Sequence, residues 1–361
     1  MNEQKKKVIV CGVGFGQFYL KAIELLPHKY ELVGILSRGS KRSKEYAKNY
    51  KVPLFTDITK IWEIKVDLVC VVVKSTVVGG AGSNIVRDLL SHGVDVIQEH
   101  PVHLDELIYN IKLAKEHKCM YLLNTFYPNL KRVNDFIKNI KILKENSIIQ
   151  YIHADCSVHV LFPLIDIIGR GLGGLRPWNF KLLEKATDKI PFSIISGEIN
   201  GIPVNINVQN QIEPTNPENN ILLLHVIEIF TSSGKLTLTG PNGIIVWEPC
   251  MNKTLDVNGD FRIDKEDIFL DLTTYETWWA KQEISFREMF TKEWPESIKK
   301  SLEVFYDAYK NSALLNQEMQ YVLGGTNAWQ VIGKELGNAQ IISAYKKEAI
   351  NLKELFYKTN G

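Results

Sequence analysis

Apolar runs and helical spacings alternate through the first third of the chain. Val8-Ile-Val-Cys11 is a short apolar run that opens directly onto glycines, and Phe18–Leu26 then carries helical spacing up to Pro27. Tyr30–Leu36 reads as a second strand, and Ser43–Asn49 as a polar helix with Ser40 or Ser43 at its N-cap. Val66–Val73 is nearly all apolar, which suits a parallel strand covered on both faces. Beyond a glycine-rich loop the pattern predicts a helix over Asn84–Ser91, a strand over Asp95–Glu99, a helix over Leu104–His117 and a fifth strand over Met120–Asn124. Strands separated by helices of this length predict right-handed βαβ units and a doubly wound parallel sheet of the Rossmann type.

The pattern then changes. Lys131–Lys144 predicts a helix leading out of this unit, and from residue 148 the strands read as antiparallel. Ile194–Gln211, Ile221–Phe230, Lys235–Leu238 and Ile244–Trp247 are separated by Gly, Pro and Asn, as in a meander. The apolar stretch Val158–Gly169 predicts a helix beneath a substrate cleft. Three more helices are expected over Ser297–Asn311, Leu315–Val322 and Ala328–Lys347. The expected fold is therefore α/β plus α+β: a Rossmann domain over residues 1–128, and over 129–361 a domain built on a mainly antiparallel sheet with helices.

Composition narrows the function. A chain of 361 residues accommodates two domains, and 45% hydrophobic with 23% charged residues is an ordinary globular balance. Forty-three Lys and Arg against 41 Asp and Glu leave +2, which is no nucleic-acid footprint. Lys5-Lys6-Lys7 is too short for a basic patch and leads into a strand. No apolar run approaches the ~20 residues of a membrane span. The charged N-terminus has no signal-peptide pattern, and five scattered cysteines without C-x-x-C spacing argue against disulfides or a zinc site. The expected location is the cytoplasm, with no nucleic-acid, membrane or metal partner. Cys11 and Cys70, at the ends of apolar strands, read as small core residues.

The turn Gly12-Val-Gly14-Phe15-Gly16-Gln17 lies between the first strand and first helix, where backbone N–H groups and the helix N-terminus meet a pyrophosphate. The usual G-x-G-x-x-G spacing would place glycine where Gln17 stands. At the end of the second strand an NAD-selective site usually carries Asp or Glu. This chain has Ser37-Arg38-Gly39-Ser40-Lys41-Arg42-Ser43 and no acid before Glu45. Arg38, Lys41 and Arg42 can neutralise a 2′-phosphate and Ser37 and Ser40 can hydrogen-bond it, so the expected cofactor is NADPH. A merely solvated basic loop is the plainer alternative.

Ligands of doubly wound sheets lie beyond the C-terminal strand ends, which nominates the loops Val73–Gly82, Gln98–His103 and Asn124–Pro128. His100 precedes Pro101 and Tyr127 precedes Pro128, which holds each extended, and either X-Pro bond can be cis. Two proton-capable side chains converging on one cleft suit acid catalysis. A hydrogen-bonded loop histidine and a packed interface tyrosine are the plainer readings of the same residues. His103, near a helix start, reads as structural.

With Glu99-His100-Pro101 after the fourth strand, the plan resembles the glucose–fructose oxidoreductase and inositol dehydrogenase family, which typically carries Glu-Lys-Pro there with the lysine near the nicotinamide. His100 in place of that lysine speaks against sugar or polyol oxidation. The chain is more similar to thiazolinyl imine reductases of siderophore assembly lines. Ser75-Thr-Val-Val-Gly-Gly-Ala-Gly82, Val96-Ile-Gln-Glu-His-Pro101 and Asn124-Thr-Phe-Tyr-Pro128 carry that likeness, with Gly12, Phe15-Gly16, Gly39-Ser40 and Arg42-Ser43. It is dense through residue 128 and thinner around Leu222–His225 and Gly243–Trp247.

The resemblance implies NADPH-dependent reduction of a thiazoline C=N bond to a thiazolidine, on a substrate tethered to a carrier domain of a non-ribosomal peptide synthetase, with His100 and Tyr127 as proton donors. It places Gly12, Gly14, Phe15 and Gly16, then Ser37, Arg38, Gly39, Ser40 and Arg42, and then Lys74, Ser75, Thr76, Glu99 and His100 at the cofactor. It also implies a homodimer through an exposed sheet face. A sugar or inositol dehydrogenase and a non-catalytic cofactor-binding regulator are the competing readings.

Two further stretches carry signals of their own. Asp256–Asp267 has acids at several calcium-loop positions, but Phe261 stands where the loop needs glycine, so an acidic surface loop is expected. Trp278-Trp279 reads as a packed aromatic pair.

Overall fold

The computed structural model describes residues 4–75, 80–216, 220–264, 266–343 and 348–360. None of the described helices is long and apolar enough to cross a membrane.

The first sheet is parallel throughout, in the order β3-β2-β1-β4-β5-β6. Its strands are β1 (Lys6–Cys11), β2 (Tyr30–Leu36), β3 (Leu54–Phe55), β4 (Leu68–Val71), β5 (Asp95–Glu99) and β6 (Tyr121–Asn124). The helices between them are α1 (Gly16–Glu24), α2 (Lys41–Tyr50), α3 (Gly82–Ser91) and α4 (Leu104–Glu116). All four residues of β4 are wholly buried, as its apolar run predicts for a two-face-covered strand. Cys11 and Cys70 are buried in this core. Strand order reverses direction between β1 and β4, so the crevice beyond their C-terminal ends is the switch point where such sheets bind ligands. Strand β3 has only two residues, too few for an alternation to show.

Helix α5 (Lys131–Asn146) leads to the second sheet, ordered β15-β14-β13-β12-β7-β10-β9-β8. Its strands are β7 (Ile149–Ser157), β8 (Trp178–Glu184), β9 (Phe192–Ile199), β10 (Ile202–Gln209), β12 (His225–Thr231), β13 (Gly234–Leu238), β14 (Ile245–Pro249) and β15 (Glu276–Trp278). The short strand β11 (Gln211–Ile212) pairs instead with β16 (Gln340–Ile341). The sheet is mainly antiparallel, but β7 and β10 pair parallel, which the reading of antiparallel strands from residue 148 did not foresee. Between them run α6 (Leu161–Leu172), β8 and β9, a connection long enough for a parallel return. Helix α6 forms where expected, and eleven of its twelve residues are buried.

The C-terminal part departs most from expectation. A short α7 (Phe286–Glu288) runs through a π-helical turn into α8 (Trp294–Ala308), and a final α10 (Leu352–Asn360) follows later. The two helices expected over Leu315–Val322 and Ala328–Lys347 are one, α9 (Ala313–Leu336). Gly324-Gly325 reads as a break, at about 1 kcal/mol per glycine. The buried stripe Leu315, Met319, Val322, Thr326 nevertheless continues through it. The helix ends at Gly337, whose φ is +65°, and Ala344–Lys347 lie outside the described residues. Of the tryptophan pair, Trp278 is exposed, which corrects the packed reading, while Trp279 lies beneath Lys131 and Arg132. Helix α8 packs back on the first sheet's side of the molecule: the Tyr30 hydroxyl donates to the Leu302 carbonyl at 2.7 Å, and Tyr309 donates to Asp95 at 2.7 Å.

Candidate active site

Adjacent strands β5 and β6 end level with one another, Glu99 opposite Asn124. That register sets His100. Its ring Nδ1 lies 3.0 Å from the Asn124 carbonyl and 3.0 Å from Glu99 Oε1. Both partners accept only, so Nδ1 carries hydrogen and Nε2 is the nitrogen left for chemistry. Glu99 is itself held. Tyr19 donates to its other oxygen, and Asn124 Nδ2 donates both to that oxygen at 3.0 Å and to the Tyr19 hydroxyl at 2.6 Å. Ser301, reaching in from α8, donates to Asn124 Oδ1 at 2.8 Å. The His100–Pro101 bond is cis, and the Ser75 hydroxyl donates to the Pro101 carbonyl at 2.5 Å.

Burial is the largest single influence on the His100 pKa and pushes it down. The hydrogen bond and charge of Glu99, the Asn124 carbonyl and the charge of Asp166 outweigh it, so the imidazolium persists above its ordinary range. Asp166, buried on α6, is held by Arg170 Nε at 2.8 Å, and Arg170 is in turn gripped by Glu318 of α9. Burial raises the Asp166 pKa, against the pull of Arg170.

Tyr127 is placed by its backbone. Phe126 sits at φ 60°, ψ −62°, and Tyr127 N donates to the Thr125 carbonyl at 2.7 Å, a γ-turn that a non-glycine residue adopts at about 1–3 kcal/mol of strain. Asn124 Oδ1 accepts the Phe126 N–H, and Ser297 of α8 donates to the Phe126 carbonyl at 2.8 Å, which fixes the turn. The Tyr127 ring meets His100 edge-on, centroids 6.5 Å apart, and meets His225 of β12 at 5.4 Å. Beyond His100 the row continues through Phe162 at 5.4 Å to Trp329. Burial, then the charge of Glu99, pushes the Tyr127 hydroxyl well above the usual phenol range, so it remains a neutral donor. The structure thus brings His100 and Tyr127 together. His103 instead engages Gln330, as a structural residue would.

The glycine turn fits a dinucleotide. Gly12 has φ +89°, and a Cβ there would lie 2.8 Å from the Val72 carbonyl oxygen. A Cβ on Gly14 would meet open space, while one on Gly16 would press Val10 at 3.1 Å where α1 packs on β1. Gln17 at the irregular position donates to the Gly14 carbonyl and accepts from Tyr46, closing the turn with side-chain bonds. Phe15 turns its ring into the cluster of Phe18, Phe126 and Trp294, leaving its backbone for a phosphate. After β2, Gly39 turns at φ +81° with its N–H donated to Ser37, and Ser40 caps α2 by accepting from Ser43 N at 3.2 Å. Arg38 and Arg42 are exposed beside them. Lys74 is exposed after β4, and Thr76 lies outside the described residues.

Three neighbours escaped sequence reasoning. His225 ends the thinly matching stretch Leu222–His225, and Phe162 and Asp166 lie within the apolar stretch Val158–Gly169, but none was singled out as a site residue. The alternation His225-Val-Ile-Glu-Ile-Phe-Thr231, with every second residue buried, was the available sign that His225 faces inward beside Ile227 and Ile229.

A glycine turn, a strand-switch crevice and a histidine held at the strand ends together make a site suited to a dinucleotide and to proton transfer beside it. Residues 6–125 match the profile of the Gfo/Idh/MocA oxidoreductase family with NAD-binding Rossmann fold, and residues 148–248 match that of the C-terminal region of Irp3-like thiazolinyl imine reductases. The two matches fall one on each sheet of the fold, and over its first third the chain is similar to the Gfo/Idh/MocA oxidoreductases. No curated protein matches it in sequence at a significant level. Among solved structures it resembles an oxidoreductase from Thermotoga maritima, with 14% identity, TM-score 0.66 and coverage of 93% of this chain and 98% of that one. A 3-ketoreductase from Actinomadura kijaniata in complex with NADP and TDP-benzene gives 14% identity and TM-score 0.66 over 95% and 100%. An oxidoreductase from Agrobacterium radiobacter in complex with NAD+, L-tartaric acid and magnesium gives 11% identity and TM-score 0.62 over 92% and 96%. At these identities the likeness is one of fold.

Proposed function

We propose that the protein reduces the C=N bond of a thiazoline to a thiazolidine with NADPH, on an intermediate carried by a non-ribosomal peptide synthetase of siderophore assembly. The observation that carries this reading is His100: a histidine with Nδ1 pinned by Glu99 and Asn124 and Nε2 left for chemistry, beside Tyr127. The match of residues 148–248 to the imine reductase profile supports it.

The nicotinamide, when bound, supplies the hydride for the ring carbon. The ring nitrogen then gains electron density and needs one proton, which the His100 imidazolium supplies from Nε2, directly or by way of the Tyr127 hydroxyl. Tyr127 offers a second, neutral donor. A lysine suits the opposite task, taking a proton from a carbinol. The aromatic row of Trp329, Phe162, His100 and Tyr127 suits a flat unsaturated ring better than a polyol.

On this reading Gly12, Gly14 and Gly16, with the backbone of Phe15, hold the pyrophosphate. Arg38 and Arg42 pair with the 2′-phosphate, supported by Ser37, Gly39 and Ser40. Lys74, Ser75 and Glu99 complete the nicotinamide end. The partners are the synthetase's carrier domain and a second copy of this chain on the open face of the second sheet, where Tyr151 and Phe230 pair at 5.8 Å.

NADPH oxidation measured with a soluble thiazoline, and separately with a panel of sugars and inositols, tests the reading. Turnover of the thiazoline alone is expected. Turnover of a polyol alone would overturn it.

A further inference from the structure

His225 is an anomaly. It is 1% exposed, and neither ring nitrogen has a hydrogen-bond partner in the structure. Leaving a buried polar group unpaired costs about 1–3 kcal/mol, and a leucine or phenylalanine would fill the same inward position of β12 without it. The ring stands against Tyr127, 62° from its plane with centroids 5.4 Å apart. Of the nearby polar side chains at this end of the second sheet, Ser157 engages His159, and Gln209 donates to the Asn220 carbonyl and accepts from Leu222 N.

Tyr127 has the complementary need. Its burial and the charge of Glu99 both disfavour the phenolate, so proton release from its hydroxyl requires a hydrogen-bond donor to the oxygen. On the His100 side, Nδ1 is taken. His225 holds a spare N–H on a ring whose centroid lies 5.4 Å from that of Tyr127.

We propose that His225 is a positioning residue for Tyr127: its N–H donates to the phenolic oxygen when the cleft is loaded, turning the phenolic proton toward the substrate nitrogen. The proton passes from the Tyr127 oxygen to that nitrogen, and the phenolate left behind is stabilised by the same N–H until solvent or His100 returns a proton. Burial alone holds the His225 pKa down at about 3, with no charged group acting on it, so the ring stays neutral, keeps one N–H at every working pH and does not compete as an acid. This rests on the imine-reduction reading, because it assigns Tyr127 a proton to give.

The test compares His225→Phe, which keeps the ring contact and removes both nitrogens, with His225→Gln, which restores a donor. His225→Phe is expected to lower kcat about ten- to a hundredfold with KM for NADPH unchanged, and His225→Gln to recover part of it. In a Tyr127→Phe background the loss should vanish, because the effect runs through Tyr127. An equal loss in both backgrounds overturns the proposal. A readout free of turnover accompanies it: NMR of 13Cζ-tyrosine-labelled protein with NADP+ and a thiazoline bound. The Tyr127 resonance is expected to move in His225→Phe and return in His225→Gln. An unmoved resonance overturns the role of His225 whatever the reaction. A moved resonance, in a wild-type protein that turns over no thiazoline, removes the imine-reduction reading and leaves the Tyr127–His225 pairing standing.

Discussion

Two histidines a tyrosine apart are tuned in opposite directions, and each makes a pH prediction. His100 titrates above its ordinary value because Glu99 and its neighbours outweigh burial. Its stabilising contribution is full below the ordinary histidine value of about 6.5 and is lost as pH rises through the higher folded value. The same ion is the proposed acid, so activity should fall on the alkaline side. Glu99→Gln should move that alkaline limb to lower pH, and His100→Ala should cut kcat about 10²–10⁴-fold. A pH–rate profile of the two variants checks this, and an unmoved limb in Glu99→Gln would remove Glu99 as the cause. His225 is depressed to about 3, so the unfolded chain takes its proton first. Stability is therefore lost as pH falls from about 6.5 toward 3, by about 1.4 kcal/mol per unit. The difference between urea midpoints at pH 7 and pH 5 should be smaller in His225→Phe than in wild type.

At the scale of elements, the turn between β1 and α1 depends on backbone that only glycine supplies. Gly12→Ala would set a Cβ 2.8 Å from the Val72 carbonyl at φ +89°. It should weaken NADPH binding at least ~10-fold and lose about 1–3 kcal/mol of stability, read by cofactor fluorescence titration and thermal melting. Arg38→Ala and Arg42→Ala should raise KM for NADPH while leaving KM for NADH nearly unchanged. Equal effects on both cofactors would return these arginines to the solvated loop. This turn was legible in the sequence because strand, glycines and helix are contiguous, and so were the strand ends carrying His100 and Tyr127. Elements set by distant contacts were not. The glycine pair in α9 reads as a break until Val322 and Thr326 are seen to share one buried stripe. The parallel pairing of β7 with β10 depends on a connection more than forty residues long, on which local alternation is silent. His225 was visible only as a polar residue in an apolar alternation, and what it faces comes from a loop a hundred positions earlier.

The whole molecule is stitched together by the helices farthest from the glycine turn in sequence. Helix α8 reaches β2 through Leu302, and the active-site turn through Ser297 and Ser301. Helix α9 reaches β6 through Met319, whose sulfur accepts the Leu123 N–H, and grips Arg170 of α6 through Glu318. Residues 294–336 therefore belong to the packing of both sheets, although a division at residue 128 assigns them to the second domain alone. A cooperative unit should follow. Phe305, wholly buried in α8, is the sharpest probe, because its removal opens a cavity at about 3–5 kcal/mol without touching a site residue. In differential scanning calorimetry the wild type should show one transition, and Phe305→Ala should move it down as a whole. Two transitions, of which only one moved, would show that the sheets melt independently and that α8 is no more than a cover on the first. If the single transition holds, His100 and Tyr127, whose supports come from β6, α6 and α8 together, keep their geometry only while both sheets are folded, and the proposed proton donors are a property of the joint molecule rather than of the dinucleotide domain.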